Sequence, residues 1–180
     1  MKVLFVCTGN LCRSPMAEAL MRCELDRRGC TGIEVASAGT WGMDGSPATP
    51  EAVEAVAELD ADLGQHRARS LVADEVRASD LVVAMTSVHV GEIIQMVPDA
   101  QPKVLLLKQL RDTEVSPAAP DDELTTRVEA VVAGRRPPWV RAHDVDDPIG
   151  QPLERYRLTV NELRDGIERL ADLLCGSGSP

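Results

Sequence analysis

Short runs of apolar residues recur along the chain, and stretches with the three-to-four-residue spacing of helices separate them. Each run is almost wholly apolar, so it does not alternate between an apolar and a polar face. Strands of this kind are buried on both faces, as in a parallel sheet that helices cover on either side. The pattern therefore predicts a single α/β domain with a four-stranded parallel sheet, whose strand signals lie near residues 2–6, 33–36, 80–84 and 103–107.

Helix signals fill the gaps between these strands. Ser14-Pro15 and Thr49-Pro50 each combine an N-cap residue with a proline at the first helical position. The first helix is expected to end near Arg28, and a further helix is expected over about 87–97. The last helix has the clearest signal, because its apolar residues step by four and three to form one stripe: Tyr156, Val160, Leu163, Ile167, Leu170 and Leu174.

Residues 112–142 depart from this alternation. The segment begins acidic and proline-rich, contains a predicted short helix near 121–133, and ends in the sequence GRRPPWVRAH. We interpret it as an insertion or lid within a domain that spans residues 1–175. The tail GSGSP, residues 176–180, is expected to be disordered, as chain ends often are.

Charge and hydropathy exclude several classes of partner. The formal net charge of −10 disfavours binding to nucleic acid or to an anionic membrane, since both need a basic face. No apolar stretch approaches the length of about eighteen residues that a membrane span requires. We therefore expect no nucleic-acid partner and no membrane partner.

The cysteines indicate a compartment rather than a metal site. There are five of them, an odd number, and no secretory signal precedes them, so a cytoplasmic protein with reduced thiols is expected. No two cysteines have C-x-x-C spacing, and His66, His89 and His143 are scattered. This pattern does not favour a structural zinc site, and no metal is expected.

The most informative segment is VCTGNLCRSPMAEAL, residues 6–20, at the junction of the first strand and the first helix. Ligands of open α/β sheets bind at such junctions, where unpaired N–H groups and the helix dipole favour an anion. The same field stabilises the thiolate of Cys7, and the planar guanidinium of Arg13 matches two oxygens of a phosphate. The segment thus combines a nucleophile with an oxyanion cradle. It lacks the lysine and the spacing of the usual ATP-binding loop.

This segment resembles the active-site loop of the low-molecular-weight protein-tyrosine phosphatases, a family that also includes bacterial protein-arginine phosphatases and thioredoxin-coupled arsenate reductases. Further matches follow in order along the chain, namely SAGT at 37–40, SDLVVAM at 79–85 and DDPIGQPLERY at 146–156. The resemblance covers about 1–111 and 144–174, and it leaves the segment 112–142 outside. Its motifs together are highly specific.

The resemblance implies a role for each residue of the loop. Cys7 is the expected nucleophile and forms a phosphocysteine, while Arg13 and the backbone amides of residues 8–13 hold the phosphoryl oxygens. Ser14 is expected to hydrogen-bond the Cys7 thiolate, and Asn10 with Ser37 to support the loop. The implied phosphate-binding residues are Thr8, Gly9, Asn10, Leu11, Cys12, Arg13 and Ser14.

A general acid must protonate the leaving group, and one carboxylic acid can later serve as the base for water. The candidates are Asp144, Asp146 and Asp147. The family places its acid directly before a proline ahead of the last helix, which selects Asp147. Asp146 remains an alternative, because adjacent carboxylates could exchange roles.

Substrate preference depends on three residues of the expected pocket. Tyrosine-specific members carry an aromatic residue after the Asp-Pro step, where this chain has Ile149. Trp41 could supply the opposite wall of a slot for an aryl ring. In the arginine phosphatases a threonine occupies the position of Leu11, and the bulk of Leu11 favours phosphotyrosine. The resemblance also allows Cys12 either to pair with Cys7 against overoxidation or to pack under the loop.

We therefore predict a protein-tyrosine phosphatase that acts on phosphorylated proteins without a cofactor, with protein-arginine phosphatase as the main alternative. An arsenate reductase needs two more cysteines after the third strand, and the segment MTSVHVGEIIQMVPDAQ has none. A non-catalytic phosphate-binding module would be expected to lack Cys7, Arg13 or Asp147, and all three are present.

Overall fold

A four-stranded parallel sheet forms the centre of the computed structural model, which describes residues 1–112, 123–134 and 143–175. The strand order is β2-β1-β3-β4, and Cys7 at the end of β1 pairs with Gly39 at the end of β2. The predicted sheet is confirmed. Its strands are β1 (Lys2–Cys7), β2 (Glu34–Gly39), β3 (Leu81–Ala84) and β4 (Val104–Leu106).

Helices cover both faces of this sheet, as the apolar strands predict. Two short 3-10 helices flank β4, at Pro98–Lys103 and Leu107–Asp112. The α-helices of the described residues are α1 (Arg13–Arg27), α2 (Pro50–Ala57), α3 (Ala73–Ala78), α4 (Ser87–Met96), α5 (Leu124–Gly134) and α6 (Leu153–Cys175).

Two apolar cores lie on opposite faces of the sheet, because successive side chains of a strand point in opposite directions. Val3 and Phe5 of β1 belong to the larger core, which α1, α2 and α6 close. Leu4 and Val6 belong to the smaller core, which α3 and α4 close. The predicted stripe of α6 is buried along its whole length.

Two helix starts were predicted from a cap residue followed by proline, and they have different outcomes. Thr49 is the N-cap of α2, where its side chain accepts a hydrogen bond from the backbone N–H of Ala52. The prediction that Ser14 is an N-cap is wrong, because α1 begins two residues earlier than predicted, at Arg13, with Cys12 as its N-cap. The Ser14 hydroxyl is engaged in the loop instead, as described below.

Other boundaries differ from the prediction where the local signal is weak. β4 is only three residues long, because the apolar run after it turns into a 3-10 helix. Helix α3 was not predicted, and with Val76 as its single buried residue it shows no apolar periodicity. Helix α5 confirms the short helix expected near 121–133. Residues 113–122 and 135–142 of the proposed insertion lie outside the described residues, as does the tail 176–180. Both interpretations stay predictions.

A disulfide joins Cys30, just after α1, to Cys175 at the end of α6, with their Cα atoms 5.9 Å apart. The expectation that all thiols are reduced is therefore wrong for this pair, while Cys7, Cys12 and Cys23 are free. A pairing across 145 residues cannot be deduced from sequence. In the described part of the chain, no helix combines the length and the apolar character that a membrane crossing needs.

Candidate active site

The loop between β1 and α1 lies at the carboxyl end of the sheet, between the ends of the two neighbouring strands. Cys7 is the last residue of β1 and Arg13 is the first residue of α1. β1 has β2 on one side and β3 on the other, so the connections from β1 leave in two directions. Such a switch point opens a crevice beyond the strand ends, where ligands of α/β proteins bind.

The backbone of this loop has its carbonyl groups turned outward. The five carbonyl oxygens from Cys7 to Leu11 all accept hydrogen bonds from neighbouring loops. The N–H groups of Thr8 to Cys12 have no acceptor among the described residues. An array of unpaired N–H groups in a concave loop is an anion-binding structure. The groups that donate to the five carbonyls are the backbone N–H of Thr40, Trp41, Met43 and Thr49 and the Nε2 of His66.

Asn10 holds this loop in shape from the inside. It is fully buried and has a φ of 56°, in the left-handed region that asparagine tolerates better than most residues. Its Nδ2 donates to the Oγ atoms of Ser14 and Ser37, both at 2.9 Å, and its Oδ1 accepts from the backbone N–H of Arg69. The side chain thus ties the loop to α1, to β2 and to the segment before α3.

Cys7 is buried at the centre of the loop, and its nearest polar partner is Ser14. The Cys7 Sγ lies 2.9 Å from the Ser14 Oγ. Because Asn10 donates to the same Oγ, the hydroxyl proton of Ser14 is available for the Cys7 sulfur or for the Ala38 carbonyl oxygen at 3.3 Å. The Ser14 hydroxyl is therefore placed to donate a hydrogen bond to the Cys7 sulfur.

Arg13 is also buried, and its guanidinium reaches across the mouth of the loop. Its Nη2 donates to Asp147 Oδ2 at 2.6 Å and to Thr8 Oγ1 at 3.4 Å, and its Nη1 donates to the Val145 carbonyl oxygen at 3.2 Å. Its Nε is buried and has no hydrogen-bond partner among the described residues. A buried unpaired donor is uncommon in proteins and suggests that a ligand completes the site.

Three aspartates precede α6, and each has a different environment. Asp147 contacts Arg13, and its Oδ1 accepts from the backbone N–H of Ile149 at 3.2 Å. Asp146 is exposed and pairs with Arg155. Asp144 accepts from the backbone N–H and the hydroxyl of Ser87 at the first turn of α4. Of the three carboxylates, Asp147 alone lines the cavity above Cys7.

This cavity has a volume of about 400 Å³ and mostly apolar walls. Leu11, Trp41, Met43 and Ile149 contribute the walls, and Cys7 lies among the lining residues. Trp41 is largely exposed, and its Nε1 donates to Glu92 Oε1 of α4 at 3.1 Å. The cavity is therefore an apolar slot that leads to a thiol and a guanidinium.

No group of three or more His, Cys, Asp or Glu side chains within the described ranges is arranged to hold a metal ion.

The model of the low molecular weight phosphotyrosine protein phosphatase family matches residues 2–119. The chain belongs to this family. A protein-arginine-phosphatase of Geobacillus stearothermophilus is 35% identical over 173 residues, which are 96% of this chain and 95% of that protein.

Solved structures of two other members resemble this phosphatase over nearly its whole length. A low-molecular-weight protein tyrosine phosphatase from T. tengcongensis is 35% identical with a TM-score of 0.73, covering 94% of this chain and 97% of that one. An arginine phosphatase, solved as a cysteine-to-serine mutant with a phosphorylated active-site serine, is 33% identical with a TM-score of 0.74, covering 95% and 93%.

The site residues that were predicted from separate motifs lie together in the structure of the phosphatase. Trp41 and Ile149 meet Leu11 around the cavity, and Asp147 meets Arg13 across 134 residues of sequence. Cys12 is buried, and its Sγ is 3.6 Å from both Thr49 Oγ1 and the Tyr156 hydroxyl. Burial raises the pKa of the Cys12 thiol.

Three contributors to the site were missed by sequence reasoning. Met43 forms part of the cavity wall, and His66 donates to the Asn10 carbonyl oxygen at 2.8 Å. His89 of α4 contacts Thr8, the residue that follows Cys7. No local motif marks these residues, because each reaches the loop only through the packing of a separate segment.

Proposed function

We propose that the protein hydrolyses phosphotyrosine in proteins through a cysteinyl-phosphate intermediate. The observation that supports this most directly is the position of Cys7, at an oxyanion loop and beneath an apolar slot. An aryl ring fits such a slot while its phosphoryl group reaches the loop. A phosphoserine side chain is too short and too polar to use the apolar walls.

In the first step the thiolate of Cys7 attacks the phosphorus atom and the bond from phosphorus to the phenolic oxygen breaks. Asp147, in its protonated form, gives its proton to the departing oxygen, so that tyrosine leaves as a neutral phenol. The N–H groups of the loop and the guanidinium of Arg13 hold the equatorial oxygens, whose charge is spread in the transition state.

In the second step a water molecule attacks the phosphorus of the phosphocysteine. Asp147, now a carboxylate, takes a proton from the water, and the phosphorus–sulfur bond breaks. The products are inorganic phosphate and the regenerated thiolate. One carboxyl group thus serves as acid and then as base, as the symmetry of the two displacements requires.

The ion pair between Arg13 and Asp147 must rearrange when substrate binds. The carboxyl group that acts as acid has to reach the leaving-group oxygen, and in this structure its Oδ2 is 2.6 Å from Arg13 Nη2. A dianionic phosphoryl group in the loop offers Arg13 a stronger partner, including an acceptor for its unpaired Nε. Substrate binding would then release Asp147 from the ion pair, so that its carboxyl group can reach the leaving-group oxygen.

Leu11 and Ile149 set the expected substrate preference within the family. Leu11 narrows the slot beside the nucleophile with an apolar side chain, which suits a ring better than a guanidinium. Ile149 packs against a ring without stacking on it, and an aromatic pair is worth roughly 0.5–1.5 kcal/mol beyond its buried area. We therefore expect weaker phosphotyrosine binding than in members that carry an aromatic residue there.

Protein-arginine phosphatase is the second candidate function. The 35% identity to an arginine phosphatase over nearly the whole chain favours it. Both functions use the same nucleophile and loop, so the slot alone distinguishes them.

The deciding experiment measures kcat/KM for peptides that carry phosphotyrosine, phosphoarginine or phosphoserine. We expect phosphotyrosine to be the best substrate, and Leu11→Thr to shift the ratio towards phosphoarginine. Cys7→Ser should remove turnover on all three peptides, which controls for a contaminating phosphatase. Faster hydrolysis of phosphoarginine by the native protein would reject the tyrosine assignment in favour of the second candidate.

A further inference from the structure

A buried histidine outside the residues of the proposed mechanism is fixed at both of its ring nitrogens. His89 lies in the first turn of α4 and is 2% exposed. Its Nε2 is 2.9 Å from Thr8 Oγ1, and its Nδ1 is 2.9 Å from Thr86 Oγ1. Thr86 is also the N-cap of α4 and accepts the backbone N–H of His89. The ring therefore has one orientation, set by the start of the helix.

Thr8 connects this ring to the guanidinium of Arg13. It follows Cys7 directly, and its Oγ1 accepts from Arg13 Nη2 at 3.4 Å while it contacts His89. A chain of hydrogen bonds thus runs from the cap of α4 through His89 and Thr8 to Arg13. On its far side the same guanidinium is paired with Asp147.

The charge state of His89 excludes a role as a proton donor at neutral pH. Burial and the positive charge of Arg13 lower the pKa of His89 to about 4, although Glu92, Asp144 and Asp147 act in the opposite direction. A neutral imidazole donates from one nitrogen and accepts at the other. Either arrangement of its proton satisfies both threonines, so the ring holds the Thr8 hydroxyl in place without changing the charge of the site.

We propose that His89 is a positioning residue, which orients the Thr8 hydroxyl and through it holds the Arg13 guanidinium ready for a phosphoryl group. This inference rests on the proposed function, because Arg13 is there the residue that binds the phosphoryl oxygens. Without the ring, the Thr8 side chain can rotate and withdraw its oxygen from Arg13. The guanidinium then keeps Asp147 as its main partner and competes less well for an anion.

A double-mutant cycle on His89 and Thr8 tests the connection. The variants are His89→Leu, Thr8→Val and the pair, and the measurement is the inhibition constant of inorganic phosphate against an aryl phosphate. We expect each single change to weaken phosphate binding by about fivefold to tenfold, within the range that one ordinary hydrogen bond supplies. The double variant should bind phosphate no more weakly than Thr8→Val alone. Independent effects that multiply in the double variant would overturn the proposal.

Two conservative variants separate positioning from simple packing. The amide of His89→Gln reaches the place of the ring Nε2 and can bond Thr8, whereas the shorter amide of His89→Asn reaches only the place of Nδ1 and bonds Thr86. We expect the glutamine variant to recover phosphate binding to within about threefold of the native value, and the asparagine variant to stay impaired. Equal behaviour of the two, or a loss of thermal stability with no change in phosphate binding, would reject a positioning role.

Phosphate binding in the same set of variants can also be measured without an enzymatic assay. Inorganic phosphate should protect Cys7 from alkylation by iodoacetate, and the concentration that gives half protection reports phosphate binding directly. If the native protein shows this protection but hydrolyses none of the three phosphopeptides, the proposed function fails while the role of His89 is still decided by the cycle. If it hydrolyses a phosphopeptide and the cycle is multiplicative, the proposed function stands and the role of His89 is rejected.

Discussion

At the residue scale, the three aspartates before α6 lie close together in sequence but have different environments and different expected roles. If Asp147 is the general acid, Asp147→Asn should lower kcat by about 100-fold or more with a poor leaving group. Asp146→Asn should change kcat by less than about threefold, because Asp146 pairs with Arg155 on the surface. The check is a series of aryl phosphates of rising leaving-group pKa. A larger loss from Asp146→Asn would move the acid by one residue.

Asp144→Asn provides the matched control, since its carboxylate holds the first turn of α4 rather than lining the cavity. We expect it to cost about 1 kcal/mol of folding stability, as the loss of a helix cap does, with little effect on leaving-group dependence. Urea unfolding and the same series of substrates separate the two effects.

The buried His89 makes stability depend on pH. Because burial and the charge of Arg13 lower its pKa from an ordinary 6.5 to about 4, the unfolded chain binds a proton between these values and the native protein does not. Stability should therefore fall as the pH drops below about 6.5, with a loss from this group of about 2 kcal/mol at pH 5. His89→Gln should lack this component, which urea unfolding at pH 7 and pH 5 will measure.

Several other groups face His89 and must be held constant in that comparison, namely Arg13, Glu92, Asp144 and Asp147. All four groups are present in both proteins. Their own titration therefore cancels when the change in unfolding free energy between pH 7 and pH 5 is compared between the native protein and the variant. If the unfolding free energy changes equally between pH 7 and pH 5 in the native protein and in the glutamine variant, the expected effect of His89 on stability is rejected.

The sequence indicated the residues of the site that lie within a local motif. Cys7, Arg13 and Ser14 fall within eight positions that also mark the end of a strand and the start of a helix. His66 and His89 carry no such mark, because an isolated histidine is compatible with many environments. Their contacts with the loop exist only after the segments that carry them have packed against it.

At the scale of elements, the end of β2 supports the loop through a position where no side chain fits. A Cβ on Gly39 would overlap the carbonyl oxygen of Thr8 and approach the backbone nitrogen of Asn10 at 2.9 Å. Gly39→Ala must therefore displace the loop, and we expect at least a tenfold loss of kcat/KM from misplaced oxyanion donors. Assays with an aryl phosphate will measure this loss.

Gly91 in α4 is the control for that substitution. A Cβ there meets no atom within 4 Å, and Gly91→Ala removes a flexible residue from the middle of a helix. We expect a gain of roughly 0.5–1 kcal/mol in stability with unchanged kcat/KM. Native kcat/KM in Gly39→Ala would contradict the fit between β2 and the loop.

Helix starts were predictable where the cap side chain bonds the end of its own helix, and less so where that side chain bonds other parts of the fold instead. Thr49 caps α2 as its sequence suggests, since its hydroxyl has the helix end within reach. Ser14 is also a hydroxyl residue followed by proline, but its hydroxyl is shared among Asn10, Cys7 and Ala38, and the helix starts at Arg13. The exception therefore lies at the functional loop, where such conflicts are expected.

At the scale of the whole molecule, the disulfide between Cys30 and Cys175 ties the final helix to the first. Closing a loop of this length restricts the unfolded chain strongly, and the usual stabilisation is about 2–4 kcal/mol. We expect Cys175→Ser to lower the free energy of unfolding by this amount without changing KM, since neither cysteine lines the cavity. Urea unfolding with and without a reductant will measure it.

Cys23→Ser is the control for that experiment, because Cys23 is a free thiol. It should leave stability within about 0.5 kcal/mol and should remain sensitive to reductant. If reductant destabilises Cys175→Ser as much as the native protein, the disulfide is not the source of the effect.

Helix α6 comes after the other described elements in sequence, which has a consequence for synthesis. The ribosome completes β1, α1 and α2 long before α6, which contributes eight buried apolar residues to the larger core. Until residue 147 has been added, the nascent chain carries Cys7 and Arg13 in a molecule with an open apolar face and without Asp147. If Asp147 is the general acid, a translation product interrupted before it should be catalytically silent and prone to capture by chaperones or proteases, because the acid and the helix that closes the larger core are both added late.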